Sequence, residues 1–185
     1  VMSDVIDLLE MDWTVIITHG NGPQVGHLME MDADGIHSLE SWVAATQGMI
    51  GHDLSMNLQA ILQRRLRPER TAVILTRVEV DSDDPAFALP TKPVGPILDA
   101  KTVMSADWDI AETIHGPRRV VASPEPLQII ELDVIRKLVE LQAVVICGGG
   151  GGVPVVDRDG HLVGVPAVID KDLLSSRLAI DLKAD

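Results

Sequence analysis

Ala143-Val144-Val145-Ile146-Cys147 is followed directly by five consecutive glycines at residues 148–152. A short, unbroken apolar run rich in β-branched residues is typical of a strand buried on both faces of a parallel sheet. Five consecutive glycines lose much conformational entropy when they are ordered, which favours a functional loop over a simple tight turn. The segment therefore predicts a central strand that ends in a ligand-binding loop.

Two further apolar runs, at residues 13–18 and 71–76, have the same character. Periodic apolar residues between and after the strands predict helices at residues 5–10, 25–31, 42–65, 127–141 and 172–182. Asp159-Gly160 has the composition of a hairpin turn. Because strands and helices alternate, the sequence predicts an α/β layer architecture with a mostly parallel sheet.

The amino-acid composition changes between residues 81 and 124, where six of the 11 prolines lie. Long periodic segments are scarce in this stretch. It predicts a loop-rich excursion, a small lid, with one short strand at residues 118–122. The domain organisation expected from the sequence is therefore one domain over residues 1–185 with the lid inserted in it.

Composition restricts the classes of partner. The chain has 185 residues, of which 46% are hydrophobic and 23% are charged, and its formal net charge is −13. A field of this sign repels phosphate backbones and anionic lipid, so we expect neither nucleic-acid binding nor membrane binding. No signal-peptide pattern or membrane-spanning apolar run is visible, and the single cysteine forms no intrachain disulfide. These features predict a cytoplasmic protein.

Two glycine-bearing loops follow predicted strands: His19-Gly20-Asn21-Gly22-Pro23-Gln24 and the five glycines at residues 148–152. In such loops consecutive backbone N–H groups can converge on an anion, and a helix that begins after the loop adds its dipole. Ligands of open α/β sheets bind beyond the carboxyl ends of strands, where both loops belong. Neither loop has Walker or Rossmann spacing. For the first loop, a simple tight turn explains the glycines equally well.

Two lysines stand out among five. Lys92 lies between Pro90 and Pro93, which stiffen its loop and suit a charge that meets a phosphate, although most loop lysines are merely solvated. Lys171 lies in Asp170-Lys171-Asp172, between a predicted strand and a helix. Either aspartate could hold lysines in place or cap the helix, and spacing alone slightly favours capping.

Other candidates carry weaker signals. Arg118-Arg119 could bind an anion or face solvent, and Cys147, at the end of a buried strand, is better explained as core than as a nucleophile. The histidines show no metal-ligand spacing, so no metal site is predicted. They are His19, His27, His37, His52, His115 and His161.

Six segments, in a fixed order, resemble carbamate kinases of the amino acid kinase superfamily. They span nearly the whole chain, and the Pro-Thr-Lys-Pro segment is absent from other members of the superfamily. The segments are Thr18-His19-Gly20-Asn21-Gly22-Pro23-Gln24-Val25-Gly26, Gln47-Gly48-Met49-Ile50-Gly51, Pro90-Thr91-Lys92-Pro93-Val94-Gly95-Pro96, Arg118-Arg119-Val120-Val121-Ala122-Ser123-Pro124, residues 148–154, and Ala167-Val168-Ile169-Asp170-Lys171-Asp172-Leu173.

The resemblance implies an open three-layer αβα sandwich and reversible phosphoryl transfer between ATP and carbamate, through carbamoyl phosphate, with Mg²⁺ on the nucleotide. Lys92 is then expected to reach the phosphoryl group from the lid. Lys171 is expected to neutralise charge as the bond breaks, and Asp172 to organise the cationic groups. The residues expected to hold the substrate and the transferred group are Gly20, Asn21, Gly22, Gly149, Gly150 and Gly151.

The chain also departs from the resemblance. The first strand with its Gly-Gly-Asn loop and the nucleotide-binding half expected of carbamate kinases have no counterpart in residues 1–185. The sequence begins on a helical pattern and stops where a further strand is expected, which favours a segment of a longer protein over a complete three-layer domain. A partly ordered chain and a degenerate homologue are alternatives.

Two rival functions stay open at this point. One is another acyl-phosphate-forming kinase of the superfamily, against which the lid motif argues. The other is a non-catalytic homologue that acts as a scaffold or regulatory subunit, against which Lys92 and Asp170-Lys171-Asp172 argue.

The wide apolar surface of the long helix expected at residues 42–66 indicates a homodimer. Its apolar residues, among them Met49, Leu54 and Met56, cover a wider arc than packing on one sheet requires. Surplus apolar surface on a helix usually marks an interaction site, and two-fold pairing is its commonest use. Coverage by another segment of the same protein is the alternative.

Overall fold

The computed structural model describes residues 2–32 and 34–184. These residues form six α-helices and ten strands. The helices are α1 (Met2–Glu10), α2 (Gly22–Met31), α3 (Leu39–Arg64), α4 (Ala100–Ser105), α5 (Leu132–Glu140) and α6 (Lys171–Leu182). The strands are β1 (Ile16–Ile17), β2 (Thr71–Val73), β3 (Arg77–Glu79), β4 (Lys92–Val94), β5 (Ile110–Thr113), β6 (Gly116–Val121), β7 (Gln128–Ile129), β8 (Val144–Ile146), β9 (Val153–Arg158) and β10 (His161–Gly164).

The first sheet is built on β8, the strand predicted from the apolar run at residues 143–147. It is fully parallel, in the order β1-β8-β2. Val144 packs in one core cluster with side chains of α1 and α3, whereas Val145 packs in another with side chains of α5 and α6. Because successive side chains of a strand point to opposite faces, helices cover both sides of this sheet. The predicted α/β architecture with three layers is therefore present.

A second sheet of four strands, in the order β10-β9-β3-β7, contains parallel and antiparallel pairs. β9 and β10 form the hairpin predicted at Asp159-Gly160, and both turn residues adopt positive φ. The sheet predicted as mostly parallel is thus divided into a parallel piece and a mixed piece.

Only the first half of the apolar run at residues 71–76 forms a strand, and the next strand belongs to the second sheet. β2 ends at Val73, and β3 begins at Arg77 in the second sheet. The break occurs at Thr76, whose backbone N–H donates to the Gln47 side chain at 2.8 Å. That bond takes the N–H out of strand pairing, so the chain changes sheets there. The first apolar run, at residues 13–18, likewise pairs as a strand only over Ile16–Ile17.

The helix predicted at residues 127–141 is shorter than expected, since α5 begins only at Leu132. The residues before it form β7 and pair with β3. Leu127 donates its N–H to the Glu79 carbonyl at 2.9 Å, and Ile130 donates to the Arg77 carbonyl at 3.0 Å. Backbone pairing with a neighbouring strand therefore overrides the helical spacing of this segment.

The stretch at residues 81–124 contains more regular structure than the single strand predicted for it. β4, β6 and β5 form an antiparallel sheet in that order, and α4 lies between β4 and β5. The Arg119 guanidinium carbon lies 5.2 Å from the centre of the Trp108 ring, a cation–π distance. We call this three-stranded sheet with α4 the lid.

The lid is continuous with the body at its base. Val94 of β4 and Val121 of β6 belong to a core cluster that includes Val25 of α2 and Val43 of α3. After β6, the Ala122 carbonyl accepts a hydrogen bond from the Val168 N–H at 3.0 Å. The base of the lid therefore lies against the segment that leads into α6.

None of the helices in residues 2–32 and 34–184 combines the length and the apolar composition that crossing a bilayer requires.

Candidate active site

A cavity of about 340 Å³ opens where the lid meets the body. Its lining includes the loop after β1, the glycine loop after β8, lid strand β4 and the start of α6. The two loops follow the carboxyl ends of neighbouring parallel strands, because β1 pairs directly with β8. This is the edge at which open α/β sheets bind ligands.

The floor of the cavity is shaped by close contact between the two glycine-bearing loops. Gly150 has a φ of +65°, and a Cβ atom placed on it would lie 2.1–2.3 Å from the Asn21 side-chain amide. The Gly150 N–H also donates to the His19 carbonyl at 2.8 Å. Both the left-handed backbone and the close approach require glycine at this position.

A buried polar network holds these loops on α3. Asn21 donates its side-chain N–H to the Thr46 hydroxyl at 2.9 Å. The Gln47 side chain accepts from the Thr76 N–H at 2.8 Å and donates to the Thr76 carbonyl at 3.1 Å. The Thr76 hydroxyl accepts from the Gly148 N–H at 2.8 Å. Because its partners are buried and satisfied, this network fixes the position of the glycine loop.

The lid supplies Lys92, which forms an ion pair with the body. Its Nζ lies 2.6 Å from Oδ2 of Asp170, and each side chain is 34% exposed. The hydrogen bond from Lys92 lowers the pKa of the Asp170 carboxyl, and the bond from the Asp172 N–H lowers it further. Asp170 is therefore ionised at neutral pH.

The structure distinguishes the two aspartates that the sequence left ambiguous. Asp170 is the N-cap of α6, because its side chain accepts the Asp172 N–H at 2.8 Å. Asp172 instead pairs with Lys171, with 2.5 Å between Oδ1 and Nζ. That hydrogen bond raises the pKa of the Lys171 ammonium. Capping and pairing with Lys171 are thus divided between two residues.

A third cation, Arg118 of β6, also lines the cavity. Its Nε and Nη2 donate to the Gly95 carbonyl at 3.1 and 2.6 Å, which orients the guanidinium across the lid. The cavity lining contains three cations and two carboxylates, a formal balance of 3 − 2 = +1, in a protein whose net charge is −13; the cations are Lys92, Lys171 and Arg118, and the carboxylates are Asp170 and Asp172. The local charge opposes the overall charge and suits a small anionic ligand.

The sequence matches a family model described as "Amino acid kinase family" over residues 1–185. The chain belongs to the amino acid kinase family. Two relatives of this chain are described as carbamate kinases. The one from Thermococcus kodakarensis is 45% identical, with 100% of this chain and 62% of the relative covered. The one from Pyrococcus horikoshii is 42% identical, with 98% of this chain and 62% of the relative covered.

A solved structure of carbamate kinase from Giardia lamblia bound to citric acid superposes with a TM-score of 0.90 at 35% identity. The alignment covers 100% of this chain and 63% of that one. The α/β fold class and the resemblance stated from the sequence are thereby confirmed. This amino acid kinase chain spans less than two thirds of the length of the relatives that it matches.

The cavity brings together most of the site residues predicted from the sequence. Its lining includes the three charged residues Lys92, Lys171 and Asp172, and four of the six predicted substrate-binding residues. Those four are Gly20, Asn21, Gly22 and Gly150.

The other two predicted glycines lie beside the cavity and not in its lining. A Cβ atom on Gly149 would meet the His19 ring at 2.4 Å, and one on Gly151 would meet the Ile169 carbonyl at 2.1 Å. Both positions therefore shape the loop, whatever the ligand contacts are.

Two contributors to the site were not assigned a role in it from the sequence. Gln47 and Thr76 hold the glycine loop from beneath. Asp170, for which the sequence left open capping and holding a lysine, connects the lid to α6. Two sequence signals mark Gln47: it is a polar residue among the apolar positions of α3, and it begins one of the six segments that carry the resemblance. Cys147, interpreted as core, is 2% exposed, and burial raises its pKa to about 12.

Proposed function

We propose that this amino acid kinase catalyses reversible phosphoryl transfer between ATP and carbamate, through carbamoyl phosphate. The observation that carries the proposal is that Lys92, from the lid, and Lys171, from α6, line the same glycine-bordered cavity. Phosphoryl transfer requires mainly positioning and neutralisation of charge, and this cavity offers both. Relatives described as carbamate kinases, at 42–45% identity, favour carbamate as the acceptor.

Each part of the cavity has a role in this proposal. Backbone N–H groups of Gly20 and Gly22, with the Asn21 side chain, bind the small substrate and the transferred group, while Gly150, whose N–H donates to the His19 carbonyl, borders the site. The N-terminus of α2 begins at Gly22 and adds a positive dipole end to that loop. These groups orient the acceptor oxygen toward the phosphorus and exclude water from it.

The cations act on the charge that develops during transfer. Lys92 contacts the transferred phosphoryl oxygens from the lid side, and Lys171 stabilises the negative charge on the oxygen that leaves. Asp172 keeps the Lys171 ammonium charged and oriented, consistent with their 2.5 Å contact. Because protein dipoles and cations are in place before the reaction, little reorganisation is needed at the transition state.

The phosphate groups of ATP or ADP match this cavity in charge, and we propose that Mg²⁺ is bound through them. Within residues 2–32 and 34–184, no group of three or more His, Cys, Asp or Glu side chains is arranged to hold a metal ion. Mg²⁺ commonly keeps several waters and binds substrate phosphates with few protein ligands. When bound, it neutralises part of the phosphate charge. A solved carbamate kinase from Giardia lamblia, bound to AMP-PNP, has a TM-score of 0.86 to this chain at 34% identity, covering 100% of this chain and 62% of that one.

The test is ATP formation from ADP and carbamoyl phosphate by the full-length protein, whose intact mass is measured alongside. Acetyl phosphate in place of carbamoyl phosphate is the matched substrate control. Turnover with carbamoyl phosphate that is lost in Lys92→Ala supports the proposal. Turnover with acetyl phosphate alone would point to another acyl-phosphate kinase, and binding of carbamoyl phosphate without turnover would point to a non-catalytic homologue.

We also propose that the protein is a homodimer that pairs through α3. Met49 and Met56 are 52% and 60% exposed on this helix, one heptad apart, while Val43 and Leu58 face the core. Methionine adapts its shape and suits such an interface. Light scattering on full-length protein at micromolar concentration tests the pairing. Met56→Glu is expected to shift the dimer toward monomer, whereas a monomeric wild type would refute the proposal.

A further inference from the structure

Asp170 uses its two carboxylate oxygens for two different parts of the molecule. Oδ1 accepts the Asp172 N–H at 2.8 Å and so caps α6. Oδ2 accepts a hydrogen bond from Lys92 Nζ at 2.6 Å. One side chain therefore joins the helix that begins with Lys171 to the lid strand that begins with Lys92.

Lys92 is restrained at both ends by this arrangement. Pro93 follows it in β4, where Lys92 is paired with Val121 of β6, so its backbone is held in the lid sheet. Its ammonium lies at the end of a flexible four-carbon chain, which loses much rotamer freedom when it is ordered. The contact with Asp170 fixes the charged end. Pro93 and β6 restrain the backbone, whereas the direction of the ammonium depends on Asp170.

Asp172 has a different partner, because its Oδ1 accepts a hydrogen bond from the adjacent Lys171 at 2.5 Å. The two aspartates flank Lys171 and serve different lysines. Asp172 orients the lysine of α6, and Asp170 orients the lysine of the lid.

We propose that Asp170 is a positioning residue that aims Lys92 into the cavity and sets its distance from Lys171. The proposal rests on the proposed phosphoryl transfer, which it deepens by assigning the organisation of the lid lysine to Asp170 instead of Asp172. When an anionic ligand enters, it shares the Lys92 ammonium with Asp170, so Lys92 meets it without a search through rotamers.

The test separates the cap from the ion pair, because asparagine caps a helix about as well as aspartate but carries no charge. Asp170→Asn is compared with wild type and with Asp170→Ala, which loses both functions. In full-length protein we expect Asp170→Asn to lower kcat by about tenfold, the effect of one lost charge-assisted contact. Its Tm is expected to stay close to that of wild type, whereas Asp170→Ala lowers the Tm as well.

A second readout does not depend on turnover. Lysines are acetylated with an excess of an N-hydroxysuccinimide ester, and the rate at each residue is followed by mass spectrometry. Lys92 is expected to react about two- to fivefold faster in Asp170→Asn than in wild type, as the loss of a partly exposed ion pair allows. Lys101, exposed on α4, is the internal control and should not change.

Unchanged acetylation of Lys92 in Asp170→Asn, or an unchanged kcat, would overturn the positioning role and leave only the cap. If wild type shows no turnover with carbamoyl phosphate, the proposed function fails, and the acetylation rate still decides the role of Asp170. If Asp170→Asn does not fold, Asp170→Ser, which also caps without a charge, replaces it in both measurements.

Discussion

The two sides of the cavity are built in different ways. On the glycine side, Gly150 lies against a 5% exposed Asn21, and the buried Gln47 and Thr76 hold the loop from below. On the cation side, Lys92 and Asp170 are each about one third exposed and meet through a single ion pair. The first side is fixed by packing, and the second by contacts that a ligand can exchange.

The glycine side therefore determines the shape of the cavity, and the cation side provides its charged groups. Buried polar groups are costly to leave without partners, so the glycine side resists rearrangement and defines the size of the cavity. Partly exposed ion pairs add little stability, so the cation side can reorganise when an anion arrives. Substitutions on the glycine side should therefore reduce stability, whereas those on the cation side should reduce activity.

The largest expected effect is on the cation side. Lys92→Ala in full-length protein should lower kcat for phosphoryl transfer by about 10²–10³, the usual cost of removing one preorganised transition-state contact. Its Tm should change little, since the pair with Asp170 is partly exposed. Lys101→Ala, on the exposed face of α4, is the matched control. Wild-type turnover in Lys92→Ala would show that the lid lysine has no part in the reaction.

On the glycine side, Gly150→Ala should destabilise the protein by about 2–5 kcal/mol, because it combines a left-handed backbone with overpacking against Asn21. Urea unfolding measures the change. Gly22→Ala is the control, since nothing lies within 4 Å of a Cβ atom at that position. Equal stability of the two variants would mean that the glycine side is not fixed by packing.

Gln47→Ala should cost about 1–3 kcal/mol in the free energy of unfolding, because it leaves the buried Thr76 N–H without its acceptor. The same denaturation experiment serves here. Gln63→Ala, at an exposed position of α3, should change stability by no more than about 0.5 kcal/mol. If Gln47→Ala is as stable as wild type, the buried network does not stabilise the glycine side.

The smallest effect is expected at Asp172, which pairs with Lys171 and is exposed. Asp172→Asn should lower kcat about tenfold by loosening Lys171, with almost no change in Tm because Asp170 provides the cap. Asp107→Asn, an exposed carboxylate of the lid region, controls for the loss of one negative charge. Activity equal to that of wild type would show that Asp172 does not orient Lys171 for the reaction.

Local pattern was sufficient for the buried strand β8 and for the β9–β10 hairpin, whose second strand is exposed. The apolar run at residues 143–147 predicted β8, and Asp159-Gly160 predicted the hairpin, because burial and turn chemistry are encoded in neighbouring residues. The lid sheet was not predicted beyond one strand. Its three-residue strand β4 contains Pro93, and strands this short are defined by their partners rather than by their own periodicity.

The same distinction applies to the candidate site. Local sequence marked Lys92 and Asp170-Lys171-Asp172, but the contact between Lys92 and Asp170 joins residues 78 positions apart. Spacing could not decide which aspartate caps α6, since that depends on the residue at which the helix begins in the folded chain. The division into body and lid, the roles of the site residues and the cytoplasmic location remain predictions.

The contact between Arg119 and Trp108 gives the lid an intrinsic fluorescent probe. Of the three tryptophans in residues 1–185, Trp13 and Trp42 belong to the body, so replacing both with phenylalanine leaves the emission of Trp108 as the only tryptophan emission from these residues. A guanidinium 5.2 Å from the ring centre makes that emission sensitive to small shifts of β6. The occupancy of the cavity could therefore be followed by fluorescence, without attaching a dye.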